Sequence, residues 1–557
     1  MRKHWKFSLT VWSRLYNPCL LLVACSYWLV GLAPTSSIRI PQEIHLASLA
    51  QIFSINPQHI QSGLEEGKIL SNLYEGLMRR NPVTFELEGA EALSWEISAD
   101  QKVYTFHLRP HLVWADSTPI TSSSYVDSWR HLLTPATGSP QVEEFFLFRN
   151  AKAYSNGTIR DFSQVGIEAI DPLTLRLSLL YPDPAFLERM AASHYVPIPM
   201  HKLQPGEAWN LSASHTNNAA FCLHKWKSAD SSIHLVRNEK FRESVVPDTV
   251  IFHVIESENT QEKLFLTKKL HLTTTVPIHK IAQYKKKIGP NTDSPLRTVP
   301  AKCSAYGLVF NTQKVPDVRI RKALSLVIDR KALTSQLRKL GEEPALRYTP
   351  TMDRKDYEPQ TPYVTSPGPQ EIAHARRLLQ EADHEPGKSK PLAISFLCNP
   401  REEHQKIADF LQQTWKKTLG IHVPLENSKS SVLLFSRVWT GDFTIARRTV
   451  QKMSAEPYLY LEEYAKEVEN PGHWHYPPFL ALFEKATYAT TKAEHLRFTQ
   501  EAESILLDQT VVVPLFFYKD HRLVSPHLKI RDQTGAIREW PMDPTQQDQA
   551  QNYVLVP

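Results

Sequence analysis

A chain of 557 residues is longer than one hydrophobic core usually organises, so two or three lobes are expected. Hydrophobic residues make up 42% of the sequence, which is enough for globular packing, and charged residues make up 22% with a formal net charge of +6. This mild positive charge is scattered along the chain, so it gives no reason to expect a nucleic-acid-binding protein.

The first residues have the features of an export signal. Positive residues precede an apolar stretch that is too short and too interrupted to predict a transmembrane helix. The sequence LVAC at 22–25 resembles a bacterial lipobox, in which Cys25 becomes the lipidated first residue of the mature chain. Residues 1–25 are therefore expected to be a signal peptide. The alternative is ordinary cleavage after Ala33, and Pro34 at the next position argues against it.

Three cysteines remain in the expected mature chain: Cys222, Cys303 and Cys398. An odd number in an oxidising compartment leaves at least one free thiol. Their wide spacing and the absence of a CxxC motif argue against a zinc site. They are expected to be buried small hydrophobic residues.

The first third of the chain predicts one helix and then a mainly β lobe. Residues 55–76 begin as a loop and become an amphipathic helix, with apolar residues at helical spacing from Ile69 to Leu77. Residues 104–108 alternate as a strand does, and a Trp-turn-Pro-Thr element and a helix start follow. Short alternating segments such as 173–179 continue to about residue 200.

From about residue 301 the pattern changes to alternating strands and helices. Residues 305–310 predict a strand, and Asp317 is a candidate N-cap of the next helix. Further on, a strand at 392–397, a helix, the helix stop Gly420 and a strand at 421–425 predict a βαβ unit with parallel strands. Residues 511–518 predict a late apolar strand.

Several motifs occur in the order of one known family. They are YTFHLRPHLVWADSTPITSSSYVDSW at 104–129, an Asn-Pro turn before a helix ending in YEGL at 74–77, FTIAR at 443–447 and Glu-Pro at 456–457. This set resembles the extracytoplasmic solute-binding proteins of peptide ABC importers, the oligopeptide-binding family.

The resemblance implies an α/β, periplasmic-binding-protein-like fold with two main lobes that close on a ligand and a third, inserted lobe. Lobe I would comprise 40–75, 200–300 and 516–557, lobe II would be the insertion 76–199, and lobe III would comprise 301–515. The hinge would lie at the crossings near 301 and 516.

The resemblance also implies a function without chemistry on the ligand. The protein would capture peptides or peptide-like solutes in the periplasm and deliver them to an ABC permease with ATPase subunits, as a monomer held at the membrane by its lipid. No cofactor is expected, and GxGxxG, GxxxxGK[ST], GxSxG and HExxH are all absent from the sequence. His473 and His475 could lie on one side of a strand, but no third metal ligand can be named beside them.

The ligand-binding residues implied by the resemblance come from three regions. They are Gln61 and Gly63 in lobe I, the aromatic residues Tyr306 and Tyr348, and His404, Arg447 and Met453 in lobe III. Arg447 would pair with a ligand carboxylate, and the alternative for it is a surface salt bridge. Met453 occupies the position of the family's aspartate that pairs with the ligand's α-amino group, and Arg448 and Lys452 would make this neighbourhood more positive.

A thioether cannot neutralise an ammonium group, so this departure leaves the ligand class open. The protein would bind peptides without the usual N-terminal clamp, or an anionic or N-blocked ligand such as a cell-wall peptide fragment. Two alternatives stand beside the peptide importer. One is a binder of a non-peptide anionic solute, and the other is a surface interaction protein that has kept the fold and lost transport.

The lipobox-like sequence predicts membrane anchoring through Cys25. Expression of Cys25→Ala in a bacterial host should release the protein into the soluble periplasmic fraction, because the thiol that carries the diacylglyceryl group is gone. Fractionation and N-terminal sequencing of the mature protein measure this. Unchanged membrane association, or a mature chain that starts at Pro34, would show that Cys25 is not lipidated.

Overall fold

The computed structural model describes residues 42–48, 54–60, 64–81, 86–203, 216–226, 231–286, 294–350, 356–384, 392–399, 402–452, 456–466, 470–531, 534, 536–538 and 550–556. The predicted lipidation site, Cys25, lies outside these residues. No helix within them is long and apolar enough to cross a membrane.

The strands are short apart from two. In chain order they are β1 Glu43–Ser48, β2 Met78–Arg80, β3 Leu87–Gly89, β4 Ala92–Ile97, β5 Val103–Leu108, β6 Ile167–Asp171, β7 Thr174–Ser178, β8 Phe221–Lys225, β9 Ser232–Arg237, β10 Thr249–Val254, β11 Leu296–Phe310, β12 Glu343–Pro344, β13 Phe396–Cys398, β14 Leu425–Asn427, β15 Ile445–Gln451, β16 Val512–Leu523, β17 Leu528–Arg531, β18 Ile537–Arg538 and β19 Tyr553–Leu555.

The longer helices lie in the second half of the sequence. The helices are α1 Leu64–Leu73, α2 Ser122–Leu133, α3 Ala151–Ser155, α4 Phe186–Arg189, α5 Glu258–Leu266, α6 Ile278–Lys286, α7 Val318–Leu326, α8 Arg330–Ala332, α9 Pro369–Glu381, α10 Glu402–Leu419, α11 Ser431–Trp439, α12 Pro457–Ala465, α13 Pro477–Thr487 and α14 Lys492–Asp508. A π-helical turn, Leu333–Arg338, follows α8. Short 3-10 turns lie at Pro57–His59, Pro135–Thr137, Val142–Phe145, Phe162–Gln164, Ser193–Tyr195, Met200–Lys202 and Ala550–Asn552.

The described residues pack into two bodies, each with its own apolar core. The largest core draws its buried residues from 44–272 and 524–553, and we call this part the first body. It contains the four-stranded sheet β1-β10-β9-β8 and the four-stranded antiparallel sheet β4-β5-β7-β6. Three further cores contain only residues between 305 and 518, which form the second body.

The second body is built on one six-stranded sheet in the order β12-β16-β11-β15-β13-β14. The strands β13 and β14 are parallel, as the pattern of strand, helix, Gly420 and strand predicts. Helices cover both faces of this sheet, since separate apolar cores lie on its two sides. Burial on both faces fits the apolar runs at 305–310 in β11 and 512–517 in β16.

The two bodies are joined by the long antiparallel pair β11 and β16. Residues 296–300 pair with 519–523 beside the first body, and 305–309 pair with 512–517 in the second. The register shifts between Pro300 and Ala305, so the ladder is interrupted where the chain passes from one body to the other. A bulge at such a place lets strands bend without breaking the sheets on either side. The exact lobe boundaries given above stay a prediction.

Most of the predicted elements are present, but several of them end at other residues than predicted. Asp317 caps α7, accepting a hydrogen bond from the amide of Arg319. Helix α1 ends at Leu73, although the apolar spacing continues to Leu77. The spacing continues because Tyr74 and Leu77 are buried although they lie beyond the end of the helix. The strand predicted at 392–397 is Phe396–Cys398, and the one predicted at 421–425 is Leu425–Asn427.

Glu91 links three segments of the first body and is only 1% exposed. The Tyr125 hydroxyl donates to it at 2.6 Å and the Asn218 side-chain amide at 2.9 Å. Burial raises the pKa of Glu91 to about 8, because these two hydrogen bonds do not offset the lost hydration and Glu75 adds negative charge nearby.

This pKa makes the stability of the first body depend on pH. Between the ordinary value of 4.5 and about 8, Glu91 is ionised only in the unfolded chain, so its contribution to the free energy of unfolding falls as pH rises. We therefore expect Glu91→Gln to gain stability relative to wild type between pH 5 and 8, by up to about 1.4 kcal/mol per pH unit. Urea unfolding at several pH values measures this difference, and a difference that does not change with pH would contradict it.

Candidate functional site

Two consecutive arginines on β15 point to opposite faces of the six-stranded sheet. Successive side chains of a strand alternate between faces, and directly paired residues share a face. Arg447 pairs with Leu308 and Arg448 with Gly307, while Thr449 pairs with Tyr306. Arg447, Thr449 and Tyr306 therefore share one face, and Arg448 lies on the other.

Arg448 is neutralised on its face of the sheet. Its Nη2 donates to Glu463 at 2.6 Å, and the Tyr348 hydroxyl donates to the other oxygen of that carboxylate at 2.6 Å. Burial opposes the charge of Arg448, but Glu463 more than offsets it and keeps the Arg448 pKa above its ordinary value. The expectation that Arg448 adds positive charge to the site is therefore wrong, because Glu463 on α12 cancels it.

Arg447 is buried and has no counter-charge within the part of the chain that the structure describes. It is 5% exposed, and its Nη1 donates to the Thr449 hydroxyl at 2.6 Å. Its Nε has no hydrogen-bond partner, and no carboxylate among the described residues lies within 4.0 Å of it. The alternative of a surface salt bridge is thus wrong. A buried guanidinium in this state is costly, and an anion would relieve it.

A cluster of aromatic rings forms the floor beneath Arg447. Its Cζ lies 5.7 Å from the centre of the Tyr306 ring, which stacks on Phe516 at 4.9 Å. The His404 ring, in the first turn of α10, lies 5.6 Å from Tyr306. The Tyr306 hydroxyl is buried and has no hydrogen-bond partner, and burial raises its pKa well above the ordinary value.

Arg338 extends this cluster and was missed by the sequence analysis. Its Cζ lies 4.6 Å from the Phe516 ring, and its Nη2 donates to Glu342 at 2.8 Å. Its Nη1 lies 3.5 Å from Glu403, the residue before His404. The spacing of Arg338 and Glu342 by four residues was a signal for an ion pair, but nothing in the sequence indicates that it borders this cluster.

A cavity of about 580 Å³ lies beside the cluster, between the two bodies. Glu256, Glu258, Ile278 and His279 line it from the first body, and Leu337, Arg338, Leu340, Glu403, Lys406 and Ile407 from the second. Its size matches that of small-molecule and peptide sites. Because both bodies contribute walls, any bending of β11 and β16 changes its width.

The structure brings only some of the predicted residues together. Arg447, His404 and Tyr306 meet in one cluster, whereas Tyr348 lies on the opposite face and packs with Tyr464. Gln61, Gly63 and Met453 lie outside the described residues. His473 Nε2 lies 3.0 Å from the carbonyl of Val438, and no group of three or more His, Cys, Asp or Glu in the described ranges is arranged to hold a metal ion.

The same substitution at the two arginines should have opposite effects on the ligand-free protein. Arg447→Met removes an unpaired buried charge, so the free energy of unfolding should rise by about 1–4 kcal/mol. Arg448→Met leaves Glu463 buried without its cation, so in this variant the free energy of unfolding should fall by about 3–5 kcal/mol. Chemical denaturation of both variants measures this, with Arg448→Met as the matched control. Destabilisation of equal size at both positions would show that Arg447 has a counter-charge in solution.

Comparison with known proteins agrees with this arrangement. The family described as bacterial extracellular solute-binding proteins, family 5 middle, matches residues 86–471. The periplasmic murein peptide-binding protein MppA of Escherichia coli is 30% identical over 475 residues, which is 84% of this chain and 86% of that protein. The probable deoxycholate-binding periplasmic protein YgiS of the same species is 29% identical over 522 residues, 90% of this chain and 95% of the other.

Solved structures show the same fold. The crystal structure of Haemophilus influenzae OppA in complex with the peptide RPPGFSPFR matches with a TM-score of 0.75 and 26% identity, covering 93% of this chain and all of that one. The sequence match, the two-body α/β fold and the cavity between the bodies agree. This chain belongs to family 5 of the bacterial extracellular solute-binding proteins, the family of the peptide-binding components of ABC importers.

Proposed function

We propose that this protein is the substrate-binding lipoprotein of an ABC importer, and that it captures a peptide-like solute by its carboxylate. The observation that carries the proposal is Arg447, a buried guanidinium with no carboxylate partner among the described residues, beside a cavity between two bodies. A ligand carboxylate would supply the missing anion through charge-assisted hydrogen bonds. His404, near the same aromatic ring, is the second residue proposed to face it.

The cavity suits a ligand that is enclosed by closure. A peptide has backbone donors and acceptors that lose water on burial, and each must be satisfied by the protein. Enclosure between two bodies excludes water, and hydrogen bonds to the ligand become stronger in that environment. The relatives named for murein peptides and oligopeptides support a peptide ligand in this cavity.

Membership of the family supports cargo delivery as a proposal, and the lipobox-like sequence at 22–25 supports anchoring. In this proposal the closed protein docks on a membrane permease with ATPase subunits, and the lipid on Cys25 keeps it at a periplasmic membrane face as a monomer. The lobes would be those given above, with the hinge at β11 and β16. Lipidation concentrates the protein near its permease without any new contact between them.

The ligand's amino group is the point on which this chain departs from its relatives. Met453 cannot pair with an ammonium group, and it lies outside the described residues. The proposed ligand-binding set also includes Gln61, Gly63, Tyr306 and Tyr348. Tyr348 lies on the opposite face of the sheet, where it donates to Glu463, so its effect on the ligand would be indirect, through Glu463 and Arg448 on β15. We therefore propose a ligand whose N-terminus is blocked or absent, and whose dominant ionic contact is Arg447.

A second candidate is a non-peptide carboxylate. The relative named as a probable deoxycholate-binding protein covers nearly the whole chain, and deoxycholate carries one carboxylate on an apolar body. The apolar residues Ile278, Leu337, Leu340 and Ile407 in the cavity would accept such a body. Native mass spectrometry of the protein with its co-purified ligand distinguishes this candidate from a peptide.

Calorimetry with trialanine and N-acetyl-trialanine tests the proposed contact. A charge-assisted hydrogen bond to a buried arginine contributes on the order of 1.5–3 kcal/mol, so Arg447→Ala should weaken binding by about tenfold to a hundredfold. Arg437→Ala is the control, because Arg437 is a part-exposed arginine of α11 that already pairs with Glu426. Equal weakening by both variants would contradict a specific role for Arg447.

The same experiment tests the missing clamp. Wild type should bind N-acetyl-trialanine at least as well as trialanine, and Met453→Asp should create a preference for the free N-terminus by supplying a carboxylate. A strong preference of wild type for trialanine would show that another acid, such as Glu456, pairs with the amino group. If neither peptide binds at millimolar concentration, the ligand is not a linear peptide. If, in addition, the protein carries no ligand and is exposed on the cell surface, the alternative of a surface interaction protein is favoured.

A further inference from the structure

The two bodies also touch at a place distant in sequence from β11 and β16. Residues 181–189, in the first body, meet residues 458–490 of the second. Arg189 Nη2 donates to Glu462 at 2.7 Å across this boundary. Gln101, also in the first body, donates from its Nε2 to the carbonyl of Thr490 at 3.0 Å.

Apolar packing accompanies the ion pair. Ala185, which has no exposed surface, packs against Tyr458, Leu459 and Ala486 in a small cluster of its own. This cluster and a second one near the strand crossing, where Leu340 joins residues of the first body, mix residues from both bodies. On the side of the first body, Ala185 is the buried residue that contributes to this cluster.

Arg189 is held in place from its own body. Its Nε donates to Asp183 at 2.6 Å, and Asp183 also caps the following turn by accepting from the amide of Ala185. The Arg189 side chain is 12% exposed and that of Asp183 is 3% exposed, whereas Glu462 is 30% exposed. On separation Arg189 would keep Asp183, and Glu462 would regain water. The contact between the bodies is thus a breakable one.

Glu462 lies on the helix that also supports the binding strand. On α12, Glu462 contacts Arg189 of the first body, and the next residue, Glu463, neutralises Arg448 of β15. A movement of the first body against α12 therefore acts on an element that also positions β15.

We propose that Arg189 and Glu462 form a latch between the two bodies, which favours the closed form and thereby sets ligand affinity from outside the cavity. Apart from the latch, the bodies are connected through β11 and β16 and touch at Gln101 and in the cluster that contains Leu340. Opening at the latch is therefore expected to accompany opening at the cavity. The effect on affinity rests on the function proposed above. The effect on closure does not, because it follows from the contacts alone.

The test uses the charge of residue 462 in the full-length protein. Glu462→Gln removes the attraction to Arg189, and Glu462→Lys replaces it with repulsion. Glu501→Lys is the matched control, since Glu501 is a part-exposed glutamate of α14 that pairs only within its own helix, with Arg497. Small-angle scattering gives the radius of gyration, and hydrogen exchange gives the protection of the amides at 181–192.

We expect the radius of gyration of the ligand-free protein to increase in the order wild type, Glu462→Gln, Glu462→Lys, with faster exchange at 181–192 in the same order. The Glu501→Lys control should match wild type. Raising the salt concentration should open wild type but not Glu462→Gln, because salt screens the ion pair. A radius and exchange pattern of Glu462→Lys equal to those of wild type would overturn the latch.

The affinity step is measured separately, with N-acetyl-trialanine as the probe. Glu462→Lys should weaken its binding about three- to tenfold, mainly through faster dissociation, while Glu501→Lys leaves it unchanged. Unchanged affinity together with an increased radius would overturn the coupling to binding and keep the latch. If wild type does not bind this probe, the proposed ligand class fails, and scattering and exchange still decide whether the latch exists.

Discussion

The alternation of side chains along β15 is the constraint on which the binding chemistry of this protein depends. Two adjacent arginines cannot face the same side of a strand, so one sheet separates two cations that have different surroundings. Arg448 meets Glu463 and is neutral with its partner. Arg447 meets a hydroxyl and an aromatic ring, neither of which cancels its charge. One face of the sheet thus holds a neutralised ion pair, and the other holds a buried guanidinium with no carboxylate partner among the described residues.

The proposed role of Arg447 in binding depends on where the sheet lies in the molecule. The strands β11 and β16 join the sheet to the first body, and a register shift interrupts their ladder between the bodies. The cavity lies across the same boundary, with walls from both sides. If the proposed function holds, an anion bound at Arg447 would meet a guanidinium already removed from water, so the protein would have borne the desolvation before the ligand arrives. In the proposed function, binding and closure would be linked because the cavity lies across this boundary.

The arginine that lines the cavity differs from Arg447 in having acidic partners. It is Arg338, and its partners are Glu342 and Glu403. Arg338 stacks on Phe516, as Arg447 does on Tyr306, but two carboxylates neutralise it. Burial raises the pKa of Glu342, although Arg338 opposes the shift. Of the two cations beside this aromatic floor, only Arg447 is without an acidic partner among the described residues. This difference is the reason why Arg447, and not Arg338, is the proposed partner of a ligand carboxylate.

Much of the fold could be predicted from local pattern. The alternating burial of β5, the N-cap at Asp317 and the parallel pair around Gly420 are confirmed, because each depends on residues close together in the sequence. The family motifs extend over nearly the whole chain, so the fold class and the family could be identified without the structure. The ends of α1, β13 and β14 could not, because burial by distant segments continues an apolar pattern beyond the hydrogen-bonded element.

The sequence by itself determined the family, the two-body α/β architecture and the residue types available to bind an anion. Only the tertiary structure decided which charges are cancelled. Glu463 is fifteen residues from Arg448, and Glu462 is 273 residues from Arg189, so no local pattern reveals these pairs. It also placed Tyr348 on the face opposite Tyr306. The reason is physical, because the free energy of a buried charge depends on the atoms packed around it in space rather than on its neighbours in the sequence.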